Sequence, residues 1–301
     1  MEKTMHAEVV IVGGSFAGLS AGMALGRALR KTVIVDSGMP CNRQTPHSHN
    51  FITHDGRKPA DIAADARAQV LKYDTVSLVN GIAEAAVRTE HGFRVTVGSQ
   101  HYEARKLILA TGVRDVMPDI AGFAASWGIS VIHCPYCHGY EVRGEKTGIL
   151  ANGIAAFEYA RLISNWTKDL VVFTNGRSEL TDEQHAQINR HAISVIETPV
   201  VGIEHDGGYL HHIALADNTR IPLKAVYARV PFEQTSGIAG QLGCELTEQG
   251  LLKVDMFQQT SVPGVFACGD SASMLRAVAQ AVATGNMAGA AANRQMIEES
   301  F

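Results

Sequence analysis

The chain has 301 residues, 46% hydrophobic and 19% charged, so at roughly 150 residues per domain it should make about two globular domains, which rules out a single small module. With 26 Lys and Arg against 30 Asp and Glu the formal charge is −4 and no basic run is present, so nucleic acid is not an expected partner. The longest apolar stretch near the start breaks at Gly13 and Gly14, too early for a signal peptide or a membrane span, and a cytoplasmic protein without membrane association is expected.

In chain order, Ala7 to Val12 reads as a strand, followed by a glycine turn, a small-residue helix through Leu29, and a second strand from Thr32 to Val35 closing on Asp36, a βαβ unit. Residues 37–58 lack periodicity and carry Pro40, Pro46, His47, His49 and His54, which predicts a long functional loop. A helix follows from Pro59 to about Lys72. Alternating segments near Ser77, Phe93 to Val97 and His101 to Glu103 predict a small antiparallel meander. Lys106 to Ala110 reads as a buried strand stopped by Thr111 and Gly112, and Val113 to Gly122 as an interdomain connection.

A second strand, turn and helix starts at Lys146: strand Thr147 to Leu150, turn Ala151-Asn152-Gly153, helix Ile154 to Asn165, strand Leu170 to Phe173. Strands near Ser194 to Ile203, Tyr209 to Leu215 and Ala225 to Val230 complete this domain. From Pro231 the character changes, and a strand over Val265 to Asp270 leads into a long helix from about Ser273 to Met296 that returns to the first domain.

The first turn, Gly13-Gly14-Ser15-Phe16-Ala17-Gly18, has dinucleotide spacing between a strand and a helix. Gly13 permits a tight turn, Gly18 permits close helix–strand packing, and free N–H groups at the helix start can receive a pyrophosphate. Asp36 at the end of the second strand can accept from an adenosine ribose. A glycine turn that binds nothing is the plain alternative. Of the five cysteines only Cys134 and Cys137 are close, in Cys134-Pro135-Tyr136-Cys137-His138-Gly139-Tyr140-Glu141, with a spacing and helix-start position that suit disulfide exchange. Zinc is the competing reading, with His133 and His138 adjacent, but no second close pair completes a site. Cys268 reads as core, and Cys41 as a free thiol or a third redox thiol.

Ala110-Thr111-Gly112 and Cys268-Gly269-Asp270 resemble segments of the two-dinucleotide-domain flavoproteins. That resemblance implies FAD on the first domain, Asp270 on its ribityl and phosphate part, and Ala279 and Gln280 near the flavin from a helix start. It also places the loop containing Arg43, His47 and His49 beside the flavin, where Arg43 and His49 are candidate contacts. Essentially the whole chain resembles the low-molecular-weight thioredoxin reductases. The fold implied is α/β, two Rossmann-like three-layer domains with the second inserted into the first: residues 1–114 and 233–301 for FAD, and 115–232 for an NAD(P)-binding-like domain bearing the Cys pair. Members are homodimers that pass electrons from NADPH through FAD to the pair and on to thioredoxin. By that match Cys137 faces the flavin and Cys134 exchanges with substrate.

The departures are as informative. His138 stands where the family has Asp, and an imidazole titrating near neutrality could move the same proton. The second turn keeps one glycine, and Thr174-Asn175-Gly176-Arg177 replaces a His-Arg-Arg cluster for the 2′-phosphate, so NADPH binding is expected to be weak or lost. The Cys-Pro-Tyr-Cys-His-Gly-Tyr-Glu segment resembles a subgroup that includes the FAD-dependent dithiol oxidases of the gliotoxin and holomycin pathways. The expected function is an FAD-dependent thiol–disulfide oxidoreductase acting on a small dithiol or disulfide or a thioredoxin-like protein. The alternatives are an NADPH-dependent thioredoxin reductase and a zinc-stabilised nucleotide-binding regulatory module without turnover.

Overall fold

The computed structural model describes residues 3–301. They divide into two compact units, one formed by residues 3–43, Phe51–Arg114 and Phe232–Phe301, the other by Gln44–Asn50 and Asp115–Pro231.

The first unit is built on five parallel strands in the order Val265–Ala267, Lys106–Leu109, Val9–Val12, Thr32–Asp36, Val76–Asn80. A parallel sheet is stable only when both faces are covered, and the three central strands are buried along their whole length. Val9 and Ile11 pack on the helices Phe16–Arg27, Pro59–Val70 and Val278–Ser300, whereas Val10 and Val12 pack on a second sheet through Ala86, Phe93, Val95 and Tyr102. That second sheet runs Lys3–His6, Gln100–Ala104, Gly92–Val97, Ala85–Thr89, its first pair parallel and the others antiparallel.

The second unit repeats the plan. Its parallel sheet runs Val131–Ile132, Ala225–Ala228, Thr147–Leu150, Leu170–Phe173, Ser194–Ile196, with the helix Gly153–Ile163 against one face. Three antiparallel strands, Val200–Asp206, Tyr209–Leu215 and Arg220–Pro222, pack with Phe123 and Trp127 on the other. Both units are thus three-layer α/β folds of Rossmann type.

Several expected elements shift. Ser77 belongs to the parallel sheet, where Val76–Asn80 pairs with Thr32–Asp36, and Ala85–Thr89 takes its place in the meander. As an edge strand with one fully buried residue, Val76, it imitates the alternation of a half-exposed hairpin. The last helix begins at Val278, five residues after Ser273, whose Oγ accepts from Leu275 N–H in a local turn that competes with helix. Ser194 to Ile203 is two strands, interrupted at Glu197-Thr198-Pro199. The helix Asp182–Arg190 was not foreseen because it has a single buried residue, Ile188; the reciprocal Thr181–Gln184 cap that starts it was the available signal. Among the described residues no helix is long and apolar enough to cross a membrane.

The helices Phe16–Arg27 and Val278–Ser300 meet through small residues. A Cβ on Gly285 would lie 2.1 Å from the Ala17 carbonyl oxygen, and one on Gly289 would lie 2.6 Å from that of Ala21. Backbone cannot yield as a side chain can, so Gly285→Ala should destabilise the protein by about 1–3 kcal/mol. Urea unfolding tests this: the midpoint should fall, and an unchanged midpoint contradicts the close approach.

Candidate functional site

At the carboxyl ends of the first unit's parallel strands, backbone sets the geometry. Gly13 has φ +108°, and a Cβ there would lie 2.1 Å from the Ala110 carbonyl oxygen; one on Gly18 would lie 1.8 Å from that of Gly13. Gly13 N–H donates to Val35 O at 2.8 Å, and Gly14 N–H to Asp36 Oδ1 at 3.3 Å. Ser15 is the N-cap of the helix Phe16–Arg27 but makes no side-chain cap, and Phe16, Ala17 and Gly18 are buried in its first turn. An uncapped helix start presents N–H groups to an external anion.

Asp36 accepts from Gly14 N–H, from Gly38 N–H at 3.2 Å and from Arg67 Nη2 at 2.7 Å. An ionised carboxylate accepts about four hydrogen bonds, which leaves room for a ribose hydroxyl. Arg67 lies 31 residues from Asp36, and no local spacing signals the pair. Ala110, Thr111 and Gly112 follow the strand Lys106–Leu109, with Gly112 at φ +65°. Gly269 N–H donates to Thr284 Oγ1 at 3.0 Å, and that hydroxyl donates to Gln280 O at 2.8 Å. Thr284, also missed in the sequence, therefore fastens the Gly269-Asp270 turn to the first turn of the last helix, where Ala279 and Gln280 lie. Asp270 Oδ2 is 3.6 Å from both Arg276 Nε and Cys41 Sγ, and Arg43 donates to Pro40 O at 3.3 Å. The glycine cradle, the uncapped helix start and the acceptor at Asp36 together fit a dinucleotide.

In the second unit, the strand Val131–Ile132 leads through His133 to Cys134, extended at φ −114° and ψ 112°, which caps a single helical turn Pro135–His138. Both cysteines are thiols, each half-buried. The hydrogen bond from Cys137 pulls the Cys134 pKa down to about 7; the N–H groups of Cys137 and Tyr136 assist, against burial. One turn is too short to exert the expected helix-start field, and these local donors act instead. Burial, reinforced by the charges of His133 and His49 and opposed by Glu141, pushes the His138 pKa down to about 4. His138 is thus a neutral imidazole at pH 7, able to take a proton only transiently, which corrects the expectation of titration near neutrality.

His49 belongs to this unit, its Nε2 lying 3.5 Å from Glu141 Oε1, with the His47 ring 6.3 Å away. Tyr136 is exposed and meets Trp166 edge-on at 5.4 Å, and Tyr159 donates its hydroxyl to His133 O at 3.2 Å. Tyr159 also lines, with Arg229, Glu158 and Leu162, a cavity of about 400 Å³. Cys268 is fully buried, its pKa driven up to about 12, and is a core residue.

The second glycine turn differs from the first in one respect that matters. Asn152 is the N-cap of the helix Gly153–Ile163, and its Oδ1 accepts from Gly153 N–H at 2.8 Å and from Glu179 N–H at 2.9 Å. Its Nδ2 donates to Arg177 O at 2.9 Å. One carboxamide therefore ties the helix start to the segment after the strand Leu170–Phe173. That segment is fastened again where Ser178 N–H donates to Glu197 Oε1 at 2.8 Å.

Comparison with known proteins agrees with this architecture. A family model described as pyridine nucleotide-disulphide oxidoreductase matches residues 7–285. The chain is 36% identical to "Thioredoxin reductase tcpT" of Claviceps purpurea, covering 97% of this chain and 95% of that protein, and 33% identical to "Thioredoxin reductase sirT" of Leptosphaeria maculans, covering 96% and 94%. A solved oxidoreductase from Agrobacterium tumefaciens superposes with a TM-score of 0.91 at 38% identity, covering 98% of this chain and 99% of that one.

With a pKa of about 7, Cys134 should be half thiolate at neutral pH, so its alkylation rate should rise with pH and level off about one unit above that value. In Cys137→Ala the principal donor is gone, and the midpoint should move up toward an ordinary thiol. Mass-spectrometric alkylation profiles of the Cys134 peptide measure both; identical profiles would refute the assigned cause.

Proposed function

The chain belongs to the pyridine nucleotide-disulphide oxidoreductase family, and we propose that it is a member that oxidises a small dithiol through Cys134 and Cys137 with weak or no use of NADPH. Family membership and the thioredoxin reductase relatives make it an FAD-dependent disulfide oxidoreductase of thioredoxin reductase-like type. The residues that would hold FAD are the turn Gly13 to Gly18, Asp36, Ala110 to Gly112, Gly269, Asp270, Ala279 and Gln280. When bound, FAD supplies a two-electron acceptor.

The observation that carries the reading is Asn152. In a doubly wound sheet a dinucleotide lies in the crevice outside the carboxyl ends of the strands, on the amides of a helix start. Here the first of those amides, Gly153 N–H, is taken by the chain's own carboxamide, which also spans to Glu179 and Arg177. Glu197, bonded to Ser178, puts negative charge on the segment where a 2′-phosphate would need cations. The residues present do not fit NADPH.

At the cysteine pair the chemistry is thiol–disulfide exchange, starting from the oxidised pair. One substrate thiolate attacks the Cys134 sulfur, the Cys134–Cys137 bond breaks, and Cys137 leaves as a thiolate. The second substrate thiol, its proton taken by neutral His138, attacks the substrate sulfur of the mixed disulfide and expels Cys134 as a thiolate. The substrate ends as a disulfide and the pair as two thiolates, two electrons richer, with the proton of the second substrate thiol on His138. The N–H groups of Cys137 and Tyr136, which favour the Cys134 thiolate, ease its departure.

The competing reading, an NADPH-dependent thioredoxin reductase, draws on the names of the relatives. Anaerobic titration of the purified flavoprotein separates the two. Dithiothreitol should bleach the flavin absorbance rapidly and oxygen should restore it, while NADPH at equal concentration should act at least about 100-fold more slowly, the loss expected for several missing contacts to a charged ligand. Fast bleaching by NADPH would overturn the proposal in favour of the reductase.

A further inference from the structure

Beneath the Cys pair lies a residue that the exchange chemistry does not employ. The strands Val131–Ile132 and Ala225–Ala228 run parallel with Ile132 opposite Tyr227. Cys134 follows Ile132 by two residues, across a bend at His133, so the register sets it at the strand end beside Tyr227. Ile132 and Tyr227 indeed share one buried cluster with Ile149, Ala156 and Ala160.

Tyr227 is 0% exposed, and its hydroxyl has no hydrogen-bond partner among the described residues. Its neighbour Tyr159, with ring centroid 6.5 Å away, is different: that hydroxyl is satisfied by His133 O at 3.2 Å. An unpaired buried hydroxyl is costly, and a slot that needed only an aromatic ring would be filled better by Phe. Of the charged groups around Tyr227, Cys134 acts on it most strongly, ahead of Glu141, Cys137 and Tyr159. Burial and these charges hold its phenol far above the ordinary range, so it is always a donor.

We propose that Tyr227 is a positioning residue of the redox pair, its buried O–H held for the Cys134 sulfur when that sulfur carries negative charge. In the dithiol the Cys137 S–H stabilises Cys134. Once Cys137 is itself charged or bonded elsewhere, that donor is lost, and the tyrosine hydroxyl is an uncommitted donor near this strand end. The inference rests on the assignment of Cys134 as the exchanging thiol.

The test is the Cys134 alkylation profile with Cys137 replaced by Ala, so that the competing donor is absent, compared with and without Tyr227→Phe. The other titratable groups facing the pair are unchanged in both proteins: His138 and Glu141 after the turn, His133 before it, His49, and Tyr159 with Arg229 beyond. A mixed disulfide trapped on Cys134 when the Cys137→Ala parent meets an oxidised small dithiol establishes the underlying assignment independently; its absence would remove that assignment rather than the tyrosine's role. Adding Tyr227→Phe should raise the midpoint by about one unit, a fall of up to about ten-fold in alkylation rate at a pH below both midpoints. Its melting temperature should stay level or rise by a few degrees. Tyr159→Phe, which deletes a satisfied hydroxyl, should lower the melting temperature without moving the midpoint. If Tyr227→Phe leaves the midpoint in place, or Tyr159→Phe moves it equally, the proposal is wrong. Should the Phe variant fail to accumulate, Tyr227→Met gives the same readout from a side chain able to fill the slot.

Discussion

Backbone pressed directly on backbone is the constraint on which the first unit depends. The Ala110 carbonyl sits where Gly13 has no side chain, the Gly13 carbonyl where Gly18 has none, and the Ala17 carbonyl where Gly285 has none. This chain of contacts fixes the helix Phe16–Arg27 between the sheet and the last helix. It thereby fixes the position of the uncapped helix start and the distance from Gly14 to Asp36. The cofactor cradle is in this sense a by-product of packing: no side chain could be added at the turn without moving the helix that presents the amides.

The second unit has the same sheet and the same helix placement but resolves its helix start in the opposite way. Where Ser15 leaves amides open, Asn152 occupies the first of them and reaches across to the next connection. The candidate redox residues lie instead at the end of the edge strand Val131–Ile132, where a single turn carries Cys134, Cys137 and His138. There, local hydrogen bonds lower the thiol pKa, and burial keeps the imidazole neutral. Thiol and imidazole are tuned by separate causes, donors for Cys134 and desolvation for His138.

Much of this was legible in the sequence because the strongest signals are local. Val9 to Val12, Thr147 to Leu150 and Leu170 to Phe173 are short apolar runs bounded by turn residues, and they form strands where expected. The Cys-x-x-Cys spacing and the first glycine turn carry their chemistry within a few residues. What was not legible depends on distant partners or on exposure. Val76–Asn80 is an edge strand whose pattern misleads, and Arg67 and Thr284 act through contacts with no spacing rule. The depression of the His138 pKa comes from burial and from His49, 89 positions earlier in the chain. The single remaining glycine of the second turn was visible, but only coordinates reveal that Asn152 fills the space with its own hydrogen bonds.

The Asn152 clasp also bears on how such a protein coexists with its surroundings. A flavoprotein open to both thiols and nicotinamide can short-circuit the two pools, draining cellular reductant into oxygen whenever its proper substrate is scarce. If the protein is the oxidase proposed above, the three hydrogen bonds of one carboxamide would keep those pools apart by filling the place a nicotinamide dinucleotide needs. Being part of the folded scaffold, that separation would need no regulator.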